Sequence, residues 1–270
     1  MQLVIEPGFA SANYWRDLWR YRELMYFLAW RDVAVRYKQT VIGVMWALIR
    51  PALTMVVFVL FRRLMGNPST GVPDPVLVLA AVLPWQFFSA ALTETSASLL
   101  GNTSLISKVY FPRLIIPVSA IATAFVDFAI TLGMLAVLMA WYGMAPAPSL
   151  VALPLFIAMT ALLSLGLGLL IGALSVRFRD FRYVVPFMVQ LGLFVSPVAF
   201  TSSQVPERWR AVYSLNPLVG LIDGFRWSIL GGAAPLDAAS VAMSAAVTAA
   251  FVWIGVKYFR RVERGFADVI

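Results

Sequence analysis

LIIPVSAIATAFVDFAITLGMLAVLMAWY, residues 114–142, carries a single charged side chain, Asp127, near its centre. A helix on the surface of a soluble protein sets an apolar stripe against a charged one, and this stretch has no charged face to offer water. A membrane-crossing helix needs roughly 20 mainly apolar residues, so the stretch reads as a span with turns to spare. The remainder of the chain is built in the same way. Of 270 residues, 61% are hydrophobic and 13% charged, against about half and a quarter in an ordinary soluble domain. Further candidate spans fall at about 41–61, 76–98, 150–176, 183–201 and 237–256. The predicted class is therefore an all-α polytopic membrane protein with six transmembrane helices, ending in a short tail at 261–270.

Chemistry is thinly provided. The chain has no cysteine and no histidine, so thiolate nucleophiles, disulfides, zinc–sulfur sites and the usual near-neutral proton carrier are all excluded. No phosphate-gripping G-x-x-x-x-G-K-[ST] loop is present, and the few carboxylates form no acid/base pair. The expectation is a transport subunit without a catalytic or metal site of its own. The chain alone is expected to hydrolyse nothing; if transport is active, its energy comes from an ion gradient or from a partner carrying the nucleotide site.

The net charge of +8 is explained by where the cations lie. With the N-terminus inside, Arg16, Arg20, Arg22, Arg31, Arg36 and Lys38 precede the first span. Lys108, Arg113, Arg177, Arg179 and Arg182 fall in the inner loops, and Lys257, Arg260, Arg261 and Arg264 follow the last span. Only Arg62, Arg63, Arg208, Arg210 and Arg226 fall outside. Cationic loops face the cytoplasm, so both termini are predicted cytoplasmic, and no basic stretch is left over for nucleic acid.

Three segments are not simple spans. Residues 13–38 space Leu18, Tyr21, Met25 and Leu28 at helical intervals among Trp15, Trp19, Trp30 and several arginines. That pattern predicts an amphipathic helix in the membrane interface, within a cytoplasmic N-terminal unit 1–38 that precedes a permease domain at 39–260. The alternative is a cytoplasmic helix packed on a partner. GNTSLISKVYFPR (101–113) predicts a short inner helix stopped by Pro112, either a handle for another protein or a plain turn. NPLVGLIDGFRWSILGG (216–232) is apolar but interrupted by Gly220, Asp223, Gly224 and Arg226. It predicts short re-entrant helices at the outer mouth of a pathway, with Asp223, Phe225, Arg226 and Trp227 as gate candidates, or else an amphipathic outer cap.

Within the spans, Arg50 and Asp127 each cost on the order of 3 kcal/mol at mid-depth, so both must face protein or water. They are expected to pair, the alternative being the wall of a hydrated conduit; Glu94 reaches toward the interface. Pro51 is expected to bend the first span. Gly166, Gly168 and Gly172 predict a close helix–helix contact, within the chain or between copies.

Three motifs in order resemble one family. RYKQTVIGVMWALIRP (36–51), SKVYFPRL (107–114) and NPLVGLIDGFRW (216–227) are similar to the first-span approach, the second inner loop and the re-entrant segment of membrane subunits of bacterial polysaccharide ABC exporters. The pattern is nearest to O-antigen exporter permeases, with teichoic-acid and capsule exporters as relatives. The resemblance implies a permease of the bacterial inner membrane that pairs with itself and with two copies of a nucleotide-binding ATPase, which would carry the ATP and Mg, with no cofactor on this chain. It implies export of undecaprenyl-diphosphate-linked polysaccharide through a channel between the two copies, in contact with membrane lipids. By the same resemblance Leu105, Ile106, Lys108 and Tyr110 would contact the ATPase. Arg36 and Lys38 would attract the lipid diphosphate where it enters, or simply set topology. Trp46, Trp85, Phe87, Phe88, Phe125 and Phe128, with Arg50 and Asp127, are the channel candidates, because sugar rings pack their C–H faces on aromatic rings. Where the family tends to carry a neutral polar residue, this chain has Arg50.

Competing functions predict other features. An ion-coupled secondary transporter would show matching halves with broken helices, and Asp127 has no counterpart in the second half. A membrane enzyme acting on lipid-linked sugars would cluster acid and base groups at one interface. A drug or lipid exporter of the same superfamily shares the composition but not the three motifs.

Overall fold

The structure, a computed structural model, describes residues 14–38, 43–66, 71–234 and 236–266. Residues 1–13 of the expected N-terminal unit, 39–42 within RYKQTVIGVMWALIRP and 267–270 of the expected tail lie outside the described residues. Among those described, the chain is helical and without strands. Its α-helices are α1 (Tyr14–Arg20), α2 (Arg22–Lys38), α3 (Gly43–Leu64), α4 (Asp74–Gly101), α5 (Thr103–Lys108), α6 (Ile115–Trp141), α7 (Leu153–Arg177), α8 (Phe181–Val195), α9 (Glu207–Tyr213), α10 (Pro217–Leu230) and α11 (Ala238–Val262).

Five segments are long and apolar enough to cross a membrane: Met45–Leu64, Asp74–Gly101, Ile115–Trp141, Pro148–Arg177 and Ala238–Val262. The sixth expected span, 183–201, is a shorter helix. α8 has 15 residues, about 22 Å at 1.5 Å per residue, against a hydrocarbon core of about 30 Å. Its end follows from sequence, because Pro197 disfavours helical geometry at Ser196, and the chain turns there.

α4 is the axis of the bundle. Its first half, Val76 to Trp85, is buried on every side, which is the fate of a helix that is apolar all round. It packs against α6, α7, α3 and α10. The glycines of α7 set the spacing. A Cβ on Gly168 would lie 2.6 Å from the Thr95 side chain of α4, and one on Gly166 would lie 2.6 Å from the Val252 nitrogen of α11. Gly255 of α11 faces the Gly166 backbone in return. The expected small-residue contact is thus made within the chain, at two crossings.

α10 falls within 216–232, the stretch for which re-entrant helices or an amphipathic outer cap are expected. Asn216 caps it by accepting from the Leu218 amide at 3.1 Å. Gly220 lies against Ser240 and Ser244 of α11, and Gly224 against the Phe156 ring of α7. The glycines that interrupt its apolar run are therefore sites of close packing. A second, smaller core joins the ends of several helices: Tyr14, Leu28, Leu99, Ile106, Phe111 and Phe266 meet there. The Tyr14 hydroxyl donates to Glu263 at 3.0 Å, tying α1 to the end of α11. Burial and that hydrogen bond push the Tyr14 hydroxyl above its usual range.

Candidate functional site

Four helices and the end of α2 enclose a cleft of about 820 Å³. Each contributes one stripe at helical spacing. α3 gives Trp46, Arg50 and Thr54; α4 gives Gln86, Phe87, Ser89, Thr93 and Glu94; α6 gives Ala124, Asp127, Phe128 and Thr131. Val189 of α8 closes one side, and Arg36 with Tyr37 stands at the end of α2. The floor is apolar and the walls are hydroxyls, an amide and charges. Hydroxyls in α4 and α6 satisfy themselves along their own helices, Thr93 on the Ser89 carbonyl at 2.7 Å and Thr131 on the Asp127 carbonyl at 2.9 Å.

The charged centre is a clamp. Arg36 Nη2 lies 2.7 Å from Glu94, and Arg36 Nη1 lies 3.0 Å from Asp127. The Tyr37 hydroxyl donates to the other oxygen of Asp127. Burial and this hydrogen bond push the Tyr37 hydroxyl well above its ordinary range, so it stays a donor. The expected Arg50–Asp127 pair does not form, because α2 delivers Arg36 to the middle of α6 and takes the carboxylate first. Among the described residues Arg50 has no ion pair; it stands exposed on the α3 wall, its carbonyl accepting from Thr54 at 2.8 Å. Pro51 sits inside α3, which continues beyond it to Leu64.

The channel candidates divide. Trp46, Arg50, Phe87, Asp127 and Phe128 line the cleft. Trp85 is buried against Gly192 of α8, and Phe88 is buried beside it. Phe125 touches Phe87 and Phe128 at 6.2 and 6.1 Å from outside the lining. Tyr37, Gln86 and Glu94 were not among the candidates. Gln86, Ser89 and Thr93, polar positions at three- and four-residue spacing in α4, are the signal that marks its wall, although Thr95, Ser96 and Ser98 of the same helix are buried elsewhere.

Arg36 was expected to meet a lipid diphosphate, and the structure places it between two carboxylates. Lys38, its companion, is exposed. Of the four residues expected to touch an ATPase, Lys108 and Tyr110 are exposed, Leu105 is half-buried, and Ile106 is buried in the smaller core. Ile106 thus anchors α5 in that core. Val109, beside it, is exposed. The gate candidates are also interior. Asp223, Phe225 and Arg226 are buried and Trp227 is half-buried. Phe225 packs between Phe128 and Phe156. Arg226 donates to the carbonyls of Phe200 at 3.0 Å and Val198 at 3.1 Å, fastening the chain after α8 to α10, with Asp223 3.8 Å away.

A second groove adjoins the cleft and shares Arg36 and Glu94 with it. There Arg31 holds Asp32 at 2.7 Å and donates to Asn102 at 2.8 Å, while Asn102 donates to the Ser98 carbonyl at 2.9 Å. One face of α2 therefore grips the α4–α5 corner through Arg31 and the cleft through Arg36. The cleft thus joins buried rings, polar walls and a guanidinium, Arg50, that has no ion pair among the described residues.

A sequence model described as ABC-2 type transporter matches residues 23–230. An O-antigen export system permease protein RfbA of Myxococcus xanthus is 27% identical over 258 residues, covering 94% of this chain and 98% of that protein. One from Klebsiella pneumoniae, with the same description, is 26% identical over 92% of this chain and 95% of its own. The inner membrane transport permease YadH of Escherichia coli K12 is 25% identical over 68% of this chain.

Proposed function

Because the chain belongs to the ABC-2 type transporter family, we propose that it is the permease subunit of an ATP-driven exporter of lipid-linked polysaccharide. The cargo is of O-antigen type, and the chain works in the bacterial inner membrane with both termini cytoplasmic. The observation that carries this reading is similarity along nearly the whole of both chains to permeases described as exporting O-antigen. Two copies would form the channel, each giving its cleft to one side. Trp46, exposed on the α3 wall, offers a face on which sugar rings slide by weak contacts, with Phe87 and Phe128 buried behind the lining, and Arg50 and Gln86 offer hydrogen bonds. In this reading α8, with the short α9 and the buried α10, completes the membrane domain as a sixth, partial crossing with re-entrant helices. Arg62 and Asp74, 3.3 Å apart, tie its first and second crossings together at the outer end.

ATP hydrolysis belongs to two copies of a separate subunit. Lys108, Val109 and Tyr110 are the exposed surface it would grip, at the end of α5. Push on α5 reaches the cleft by a physical route: Asn102 to Arg31, along α2 to Arg36, and from there to Glu94 and Asp127. The outward rings of α1 and α2, Trp15, Trp19, Tyr26, Phe27 and Trp30, suit the membrane interface.

The test is affinity purification of the tagged chain from its native membrane. A stoichiometric subunit bearing a phosphate-binding loop, and loss of surface polysaccharide when the chain is deleted, are the expected results. Recovery of the chain alone, active in proteoliposomes under an ion gradient, would overturn the reading.

A further inference from the structure

On the flank formed by α7 and α11 lies a groove of about 890 Å³ that shares no lining residue with the cleft. Met159 and Leu162 of α7 form one bank, and Ala245, Ala249 and Val252 of α11 the other. It exists because Gly166 and Gly255 bring the two backbones together below it while the alanines leave the space above unfilled. From Ala245 to Val256 the groove is apolar apart from Thr248. That run rises about 16 Å, the depth of one leaflet of a hydrocarbon core about 30 Å thick.

At one end the character changes within a turn. Lys257, Arg260 and Arg261 line the groove there, with Trp15 and Trp253 beside them. Lys257 Nζ stands 4.5 Å from the Trp253 ring centre, and the Arg260 guanidinium 4.6 Å from that of Tyr14. Among the described residues lining this end the acid is Glu263, which accepts from Tyr14 at 3.0 Å. Three cations against one engaged carboxylate leave the mouth positive. Tryptophans mark headgroup depth, and basic pockets between membrane helices favour acidic headgroups.

We propose that this groove is a binding site for an anionic diacyl phospholipid. One acyl chain lies along Ala245–Val256, and the phosphate sits among Lys257, Arg260 and Arg261. Length, apolarity and charge each select this ligand: a zwitterionic lipid fits the trough but brings its own cation next to its phosphate at a positive mouth, and a free phosphate fits the cations but leaves the trough empty. The site lies apart from the proposed passage, so its lipid is a resident of the transporter and not its cargo.

Native mass spectrometry of the detergent-purified, delipidated protein tests it, with phosphatidylglycerol and phosphatidylcholine added in turn. Phosphatidylglycerol is expected to bind at about tenfold lower concentration than phosphatidylcholine. K257Q/R261Q, both exposed positions, is expected to abolish that preference, and R179Q/R182Q, exposed where α7 turns into α8, to keep it. A249F fills the trough with the charges intact and is expected to weaken phosphatidylglycerol binding several-fold. Equal binding of the two lipids, an unchanged preference in K257Q/R261Q, an equal loss in R179Q/R182Q, or full binding by A249F would each overturn the assignment.

Discussion

A guanidinium that meets two carboxylates, as Arg36 meets Glu94 and Asp127, couples the energies of all three. All are about a third exposed to the cleft, so water screens the pairs and each is worth on the order of 1 kcal/mol or less. A double-mutant cycle separates the alternatives. Arg36→Gln and Asp127→Asn are expected to be non-additive in thermal stability, whereas Arg50→Gln and Asp127→Asn are expected to add. Additivity in the first pair would show that the clamp contributes nothing. Arg50→Gln alone should leave stability unchanged while altering export, since its side chain faces the cleft without an ion pair. The sequence made Arg50 and Asp127 conspicuous because both interrupt apolar runs. It did not reveal Arg36 as the partner, because Arg36 belongs to a helix outside the spans, whose reach onto α6 is a matter of tertiary packing.

Helices here are positioned by what they lack. Gly255→Val would drive a branched side chain into the Gly166 backbone, and backbone cannot step aside as a flexible side chain can. A loss of about 3 kcal/mol or more is expected, read as a lowered thermal midpoint in detergent or as failure to accumulate. Gly133→Val, on α6, meets nothing within 4 Å and is expected to be tolerated; equal damage from both would refute the crossing. At the start of α11, Asp237 accepts from the Ser240 hydroxyl at 2.5 Å and from the Ala239 and Ser240 amides at 3.1 and 3.3 Å. These bonds, the hydroxyl's first, hold its carboxyl below the usual carboxylate range. A depressed folded-state pKa gives stability that is full above the unfolded value, about 3.9, and lost as pH falls through the folded one. Asp237→Ala should therefore cost about 1 kcal/mol near neutrality and nothing extra in strong acid. Five spans were legible because length and apolarity suffice to define them. α8 was overextended, since apolar content continued past Ser196–Pro197 while the helix did not. The glycines of 216–232 read as interruptions of a span, although their contacts lie on helices far away in sequence.

Across the whole molecule, two cores divide the labour. The larger runs through the spans around α4, and the smaller gathers α1, α2, α5 and the end of α11 around Phe111 and Ile106. α5 has six residues, too few to be stable alone, and it is held as a rigid point by Ile106 in that core. In the proposed reading this short helix would have two roles, an anchor through Ile106 and a docking surface at its end, and substitutions should separate them. Ile106→Ala removes buried side chain and is expected to cost about 2–4 kcal/mol, lowering the thermal midpoint of the purified chain without any partner present. Lys108→Glu and Tyr110→Ala touch exposed side chains and should leave that midpoint unchanged. In membranes containing the complete exporter, they should nevertheless reduce export at normal protein levels, with partner ATP hydrolysis continuing uncoupled. Asn102→Leu, which breaks the link from the α4–α5 corner to Arg31, should reproduce the uncoupling with the Lys108 and Tyr110 surface intact. Normal export in Lys108→Glu and Tyr110→Ala would remove the docking role from α5. Normal export in Asn102→Leu alone would leave the docking surface standing and break only the route through α2.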